Sequence, residues 1–323
     1  MKLPRRRFLY LAGGAAALPS LSAVAWAQTY PTRPVRQVVG FPAGLAPDII
    51  ARLAGQALTE RLGQQVVVEN RPGAGGNIAT EAVVRAPADG YTLLHLNSTH
   101  SVNATLYDNA RFDLIHDIVP VATIGNAPLV MVVHPAVPVK SVSEFISYAR
   151  ANPDQINMAS AGNGSAPHVY GELFKMMTGV NMQHVPFRGN FYADLISGQV
   201  QVAFASVSSA VEHIRTGKLR ALAMSNTARS ATLPDVPALA EFVTGYDTAP
   251  WFGFGAPART PTEIIERLNK DMNATLADAK FNAQLEKLGY TPMSMTPAAF
   301  RTFLADDVQK WAKVVKFAGI KAE

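Results

Sequence analysis

Short apolar runs alternate with amphipathic stretches along nearly the whole chain, the pattern of α/β units built on a mostly parallel sheet. Val35–Phe41 reads as a buried strand. Ile49, Ile50, Leu53, Ala54, Ala57, Leu58 and Leu62 then fall on one helical face, and Gly63 stops that helix. Val66–Glu69 is a second strand and Ile78–Arg85 a second helix, and Asp89-Gly90 turns the chain into a third strand, Thr92–Asn97. Three strand–helix steps make a first lobe.

The alternation restarts at Leu129–His134, where Ser141 and Glu144 form a capping box opening a helix at Phe145. Further strands are expected at Ile156–Ser160, Met182–Pro186, Val202–Ala205 and Leu222–Ser225, with helices at Ser165–Thr178 and Ser208–Arg215 between them. This is a second lobe. Prolines crowd Leu233–Pro237, and Pro250, Trp251 and Phe252 mark a crossover, after which the pattern is helical; Thr260-Pro261-Thr262-Glu263 and Thr296-Pro297 open helices. The last helices have too few strands for a domain of their own, so they pack back on the first lobe. That gives two chain crossings and a cleft at the hinge, with lobe 1 formed by residues 28–126 and 250–323 and lobe 2 by 127–249.

The first 27 residues stand apart. Arg5-Arg6-Arg7-Phe8-Leu9, an apolar stretch to Leu21 and Ala25-Trp26-Ala27 make a basic region, a hydrophobic region and a small-x-small cleavage site, the outline of an export signal of the twin-arginine or general type. The alternative is an uncleaved membrane anchor. No later stretch is long and apolar enough to span a bilayer, so the exported protein is expected to be soluble and periplasmic. Removing Lys2, Arg5, Arg6 and Arg7 lowers the formal charge from +5 to +1, which leaves no basic excess for nucleic acid. The chain has no cysteine, which rules out disulfides, thiolate metal sites and a cysteine nucleophile.

Chemistry concentrates where strands meet helices. Pro42–Asp48 and Gly73–Asn77 are glycine-bearing loops between a strand and a helix, and free amides at a helix start favour an anion. In open α/β sheets ligands lie beyond the carboxyl ends of strands, where Ser98, Thr99 and Asn103 also fall. This half of the pocket contains no lysine or arginine, so it would hold an anion through dipoles. Asp48 either complements the helix dipole or stands at the cleft, ordering the loop or receiving a ligand group. Asn77 is a ligand contact or a simple cap.

In the second lobe, Gly162-Asn163-Gly164-Ser165-Ala166-Pro167-His168 makes Ser165 an N-cap whose hydroxyl and following amides face a ligand anion. His168 reads as a ligand contact or a structural histidine. Arg188 is either the one basic group aimed at the cleft or a solvated surface residue, and Trp251 packs the hinge or walls the pocket. The seven histidines show no metal spacing, and no nucleotide, nucleophile-elbow or metalloprotease motif is present, so neither metal nor cofactor is expected. An exported hydrolase using Ser165 and His168 is the enzymatic alternative.

Phe41-Pro42-Ala43-Gly44 with Asp48, Glu69-Asn70-Arg71-Pro72-Gly73-Ala74-Gly75-Gly76-Asn77, and Asp89-Gly90-Tyr91-Thr92 together resemble the Bug (TctC) family, extracytoplasmic solute receptors of tripartite tricarboxylate transporters. The likeness runs through Gly171–Lys175, Gly217–Ala223 and Leu233–Pro237 to the final Ala318–Glu323. It implies a type II-like periplasmic-binding-protein fold whose two lobes close on a small organic carboxylate. By position the matching contacts are Phe41, Pro42, Ala43, Gly44, Asp48, Gly75, Gly76 and Asn77 in lobe 1, and Gly164, Ser165 and His168 in lobe 2. The implied partners are the ligand and the transporter's membrane subunits, with the receptor a monomer; the same receptor could instead feed a sensor kinase. Three departures stand out: Leu45 replaces a usual second glycine, Phe187-Arg188 replaces Tyr-Lys, and Gly189–Asp194 is about two residues short.

Overall fold

The computed structural model describes residues 30–107, 110–187, 190–227 and 232–322, so the export signal expected over residues 1–27 lies outside the described residues. The chain begins β1 (Val35–Val39), α1 (Ala46–Leu62), β2 (Val66–Asn70), α2 (Asn77–Val84), β3 (Thr92–Asn97), α3 (Ser98–Leu106), α4 (Leu114–Asp117) and β4 (Ile118–Asn126). It continues with β5 (Leu129–Val133), α5 (Val142–Ala151), β6 (Asn157–Ser160), α6 (Ala166–Thr178), β7 (Gln183–Pro186), α7 (Tyr192–Ser197), β8 (Val202–Ser206), α8 (Val207–Arg215) and β9 (Arg220–Met224). It ends with β10 (Trp251–Pro257), α9 (Thr262–Leu276), α10 (Ala279–Lys287), β11 (Thr291–Pro292) and α11 (Pro297–Ala318).

These elements form two α/β lobes on two sheets, ordered β11-β4-β10-β3-β1-β2 and β7-β6-β8-β5-β9. The expectation of mostly parallel sheets is corrected. Only β2-β1-β3 and β7-β6-β8 are parallel; β10 runs antiparallel to both β3 and β4, and β5 runs antiparallel to β8 and β9. The physical reason is the crossing itself. β4 carries the chain out of the first lobe and β10 brings it back, so the two must run in opposite directions, and they lie side by side in the first sheet. β5 likewise leads away from the first crossing, opposite to strands that run towards it.

Helices cover both faces of each sheet. Ile50, Ala54 and Leu58 of α1 pack with Leu268 and Met272 of α9 on one face of the first sheet, and Ala79 and Val83 of α2 pack with Phe300 and Leu304 of α11 on the other. In the second lobe Val169, Leu173 and Phe174 of α6 meet Phe145 of α5 and Phe204 of β8. α11 belongs to both cores: Phe300 and Leu304 sit in the first, whereas Trp311, Val314 and Val315 sit in the second. Its Trp311 ring stacks on Tyr170 of α6 with centroids 5.2 Å apart. The C-terminal helix is therefore a third tie between lobes.

The two crossing segments are also bonded to each other. Ala127 N–H donates to the Pro250 carbonyl at 2.9 Å. The buried Ser225 hydroxyl accepts from Leu129 N–H at 3.0 Å and donates to the Thr248 carbonyl at 2.7 Å.

Candidate functional site

Parallel pairing puts the carboxyl ends of β1, β2 and β3 on one edge and those of β6, β7 and β8 on one edge. β4 ends at that edge of the first sheet, where the chain leaves, and β5 begins at that edge of the second. Both trios thus aim their loops, and the helix starts that follow, at the gap between the lobes. In each trio the first strand lies in the middle, flanked by the second and third. The described junctions after β1, β2, β3, β6 and β8 thus lie on the side where the chain crosses between the lobes.

In the first lobe, Gly44 takes φ +83°, a left-handed value, and the chain from Gly73 to Gly76 stays at positive φ throughout, Ala74 included. Leu45 does not disturb its loop, because its backbone is extended (φ −81°, ψ 163°) and needs no glycine. Asp48 is buried behind the loop: its carboxylate accepts from Gly44 N–H at 2.9 Å, from Arg52 Nε at 3.0 Å and from Asn70 Nδ2 at 2.9 Å. Burial pushes its carboxyl up, but the Arg52, Gly44 and Asn70 hydrogen bonds outweigh that and hold it at about 2. Asp48 thus orders the loop, its charge paired with Arg52.

The second glycine loop is held from α3. Asn103 Nδ2 donates to the Gly75 carbonyl at 2.9 Å and to Asn77 Oδ1 at 3.3 Å. Asn77 is not a cap; Gly76 occupies the N-cap position of α2. Ser98 and Thr99 start α3, whose cap is Asn97, with its side chain accepting from Thr99 N–H. His100 lies beneath, fully desolvated and lowered to about 4 by that burial, so it adds no charge. Phe41 is half-buried, its carbonyl accepting from Asn70 Nδ2, and Pro42 and Ala43 are exposed.

In the second lobe the Ser165 cap departs from expectation, whereas His168 matches the structural one of its two readings. Ser165 holds the N-cap position of α6, but its hydroxyl does not cap; it donates back to the Gly162 carbonyl at 2.7 Å. His168 is buried, with Nδ1 accepting from Gly164 N–H at 3.1 Å, so it supports the loop from below. Ser165 and His168 therefore make no hydrogen bond to each other among the described residues. Pro167 removes one amide from the first turn of α6, which leaves those of Ala166 and His168 free of intrahelical partners.

The lobes meet where Gly164 faces α3: a Cβ on Gly164 would come within 2.9 Å of Leu106 Cδ2. Beside that contact Ser98, Thr99, Gly164 and Ala166 line a void of about 10 Å³ floored by Tyr170 and Trp311. Trp251 is not in this cleft. It is buried edge-on against Phe300 and Phe303 in the first-lobe core, with Nε1 donating to Asp307 at 2.9 Å. Arg188 lies outside the described residues.

A family model described as the tripartite tricarboxylate transporter family receptor, TctC, matches residues 50–320. The chain belongs to this family. Protein BugT of Bordetella pertussis is 38% identical over 322 residues, covering 98% of each chain. Among solved structures, R. palustris Rpa4515 with adipate is 36% identical with a TM-score of 0.75, over 90% of this chain and 99% of that one. MatC (Rpa3494) from Rhodopseudomonas palustris with bound malate is 30% identical with a TM-score of 0.71, over 88% and 100%. The protein is thus a solute receptor of the TctC type, and its two-lobed α/β architecture is that of its relatives.

Several supports of this TctC receptor's loops escape a reading of the sequence. Asn70, Gly40 and His100 brace the first-lobe loops, and Ser160 and His184 brace the second. Ser206, N-cap of α8, occupies in the second trio the place that Asn97 holds in the first. A strand running Phe204-Ala205 straight into Ser206-Val207-Ser208 is the same signal as Leu96-Asn97-Ser98-Thr99. Among the described residues no helix is long and apolar enough to cross a membrane, and no metal-binding cluster is found.

Proposed function

We propose that this receptor works in the periplasm, after removal of residues 1–27, and captures a small organic carboxylate for the membrane subunits of a tripartite tricarboxylate transporter. The observation that carries the reading is the convergence of the strand–helix junctions after β1, β2, β3 and β6 on one gap, with Asp48 already neutralised by Arg52. Helix starts present unpaired N–H groups and a positive dipole end to that gap. The adipate and malate bound to two relatives support a carboxylate.

Magnitudes allow it. Hydrogen bonds to a charged group contribute about 1.5–3 kcal/mol each, and micromolar binding needs about 8 kcal/mol. Four such bonds with some apolar burial suffice. Lobe 1 (residues 28–126 and 250–323) and lobe 2 (127–249) would close on the ligand, with α11 bridging them, and the transporter need only prefer the closed monomer. Binding without turnover is supported by the hydroxyl of Ser165 and the ring of His168 each serving another partner. Calorimetric titration with adipate, malate and uncharged analogues tests the proposal: saturable heat with the acids alone supports it, and no heat with any acid defeats it.

A further inference from the structure

Beneath the second-lobe loop lies an arrangement that ligand contact does not explain. His168 of α6 and His184 of β7 stack face to face, centroids 3.5 Å apart and planes 6° from parallel. Gly164 N–H donates to His168 Nδ1 at 3.1 Å. Gly162 N–H donates to Ser160 Oγ at 3.1 Å, and Ser160 Oγ lies 2.5 Å from His184 Nε2.

We propose that His168 and His184 act as one neutral stacked unit, a pair of positioning residues that fastens the Ser160–Ser165 loop and thereby fixes which α6 amides are left for the ligand. The inference rests on the carboxylate-receptor reading for its functional meaning, but its geometry stands alone. Gly164 can donate only into an unprotonated Nδ1, so the His168 proton sits on Nε2. That atom faces Glu172 Oε1, 3.8 Å away on the next turn of α6, and Lys175 Nζ holds the same oxygen at 2.9 Å. Ser160 Oγ also reaches the Gly162 carbonyl at 3.2 Å, so it either donates to an unprotonated His184 Nε2 or accepts from a protonated one while donating to Gly162.

The groups facing the pair are Glu172 and Lys175 from α6 and Ser160 from β6. Two charged rings at 3.5 Å would repel, so protonating one opposes protonating the other. Burial, then the neighbouring His184, lowers His168 to about 3, and burial, then Lys175, lowers His184 to about 4. The fastener therefore holds across ordinary periplasmic conditions. Gly162 and Gly164, whose amides are held by Ser160 and His168, sit at left-handed φ of +111° and +72°.

The test uses the full mature chain. Nitrogen-15 NMR of the imidazoles between about pH 5 and about pH 8 should show both rings neutral throughout, with the His168 proton on Nε2. His168→Asn keeps an acceptor for Gly164 N–H, and His168→Leu does not. Gly164 amide exchange should speed up about tenfold in the leucine variant, the worth of one buried hydrogen bond, and stay near wild type in the asparagine variant. Adipate affinity should follow the same order. Either ring titrating near about 6.5, or Gly164 exchanging equally in both variants, would overturn the proposal. The NMR and exchange arms need no ligand, so a wild-type protein that ignores adipate counts against the carboxylate reading alone.

Discussion

Gly40 and Gly76 interlock backbone to backbone: a Cβ on Gly40 would come within 2.5 Å of Gly76 Cα and 3.1 Å of its carbonyl oxygen. The end of β1 thereby sets the height of the loop after β2, and the two glycine loops behave as one surface. Gly40→Ala should cost about 1–3 kcal/mol through overpacking and should weaken carboxylate binding as well. Urea unfolding and calorimetry on the same variant check it. Unchanged values in both would show that the loops are not coupled at this contact.

Asp48 gives the first lobe a defined acid response. Its folded-state value of about 2 lies below the ordinary 3.8, so the stabilisation is fully present above about pH 4 and is lost as pH falls through 2. The contribution is about 1–2 kcal/mol, given that Arg52 is half exposed. Asp48→Asn should be less stable than wild type at neutral pH, with the gap closing between about pH 4 and about pH 2. A gap that stays constant over that range would contradict the ion pair's role.

Ser225 joins the two crossing segments through both its lone pair and its proton. Ser225→Ala strands the Leu129 N–H and the Thr248 carbonyl in a buried site and should cost about 1–3 kcal/mol. Chemical denaturation measures this directly, and a variant as stable as wild type would mean that water replaces the hydroxyl.

The chain has three tryptophans, and beyond Trp26 these are Trp251 and Trp311, both near the hinge. Trp251 packs edge-on against Phe300 and Phe303 in the first-lobe core, whereas Trp311 sits in the second-lobe core and lines the void between the lobes. Ligand-induced closure should change Trp311 emission and leave Trp251 little affected. Fluorescence titrations of Trp311→Phe and Trp251→Phe separate the two, and a signal that survives in Trp311→Phe would contradict the assignment.

Local chemistry made the first lobe legible. Apolar periodicity predicts strand Thr92–Asn97 and a helix ending at Leu62, and both are found there, with Gly63 in the left-handed cap. Ser141 caps α5 as its hydroxyl predicts, and Thr296 caps α11. Thr260 fails in the same role: its hydroxyl donates to the Pro257 carbonyl, and Pro261 takes the cap position of α9. β4 and β10 went unread because their direction is a property of the chain crossing, and because β10 alternates aromatics with glycine where the sheet is tightest. A Cβ on Gly253 would meet the Ala122 carbonyl oxygen at 2.7 Å.

The candidate site was legible as a set of loops but not as a division of labour. Glycine and serine at strand ends mark where amides converge, and Gly44, Gly75, Gly76, Ser98, Thr99 and Gly164 all lie there. Which polar side chains brace those loops depends on partners far away in sequence. Asn103 reaches Gly75 across 28 positions and Ser160 reaches His184 across 24. No local pattern encodes such pairs, so the sequence leaves Asp48 and His168 open between structural support and ligand contact.

A crystal structure of the mature protein grown with adipate would show which groups hold the carboxylate. The expected result is a carboxylate between the lobes, its oxygens at about 3 Å from main-chain N–H groups of the Pro42–Asp48 and Gly73–Asn77 loops or the first turn of α6. A ligand seated outside that gap, or one held there by side-chain charges with the loop amides unused, would contradict it.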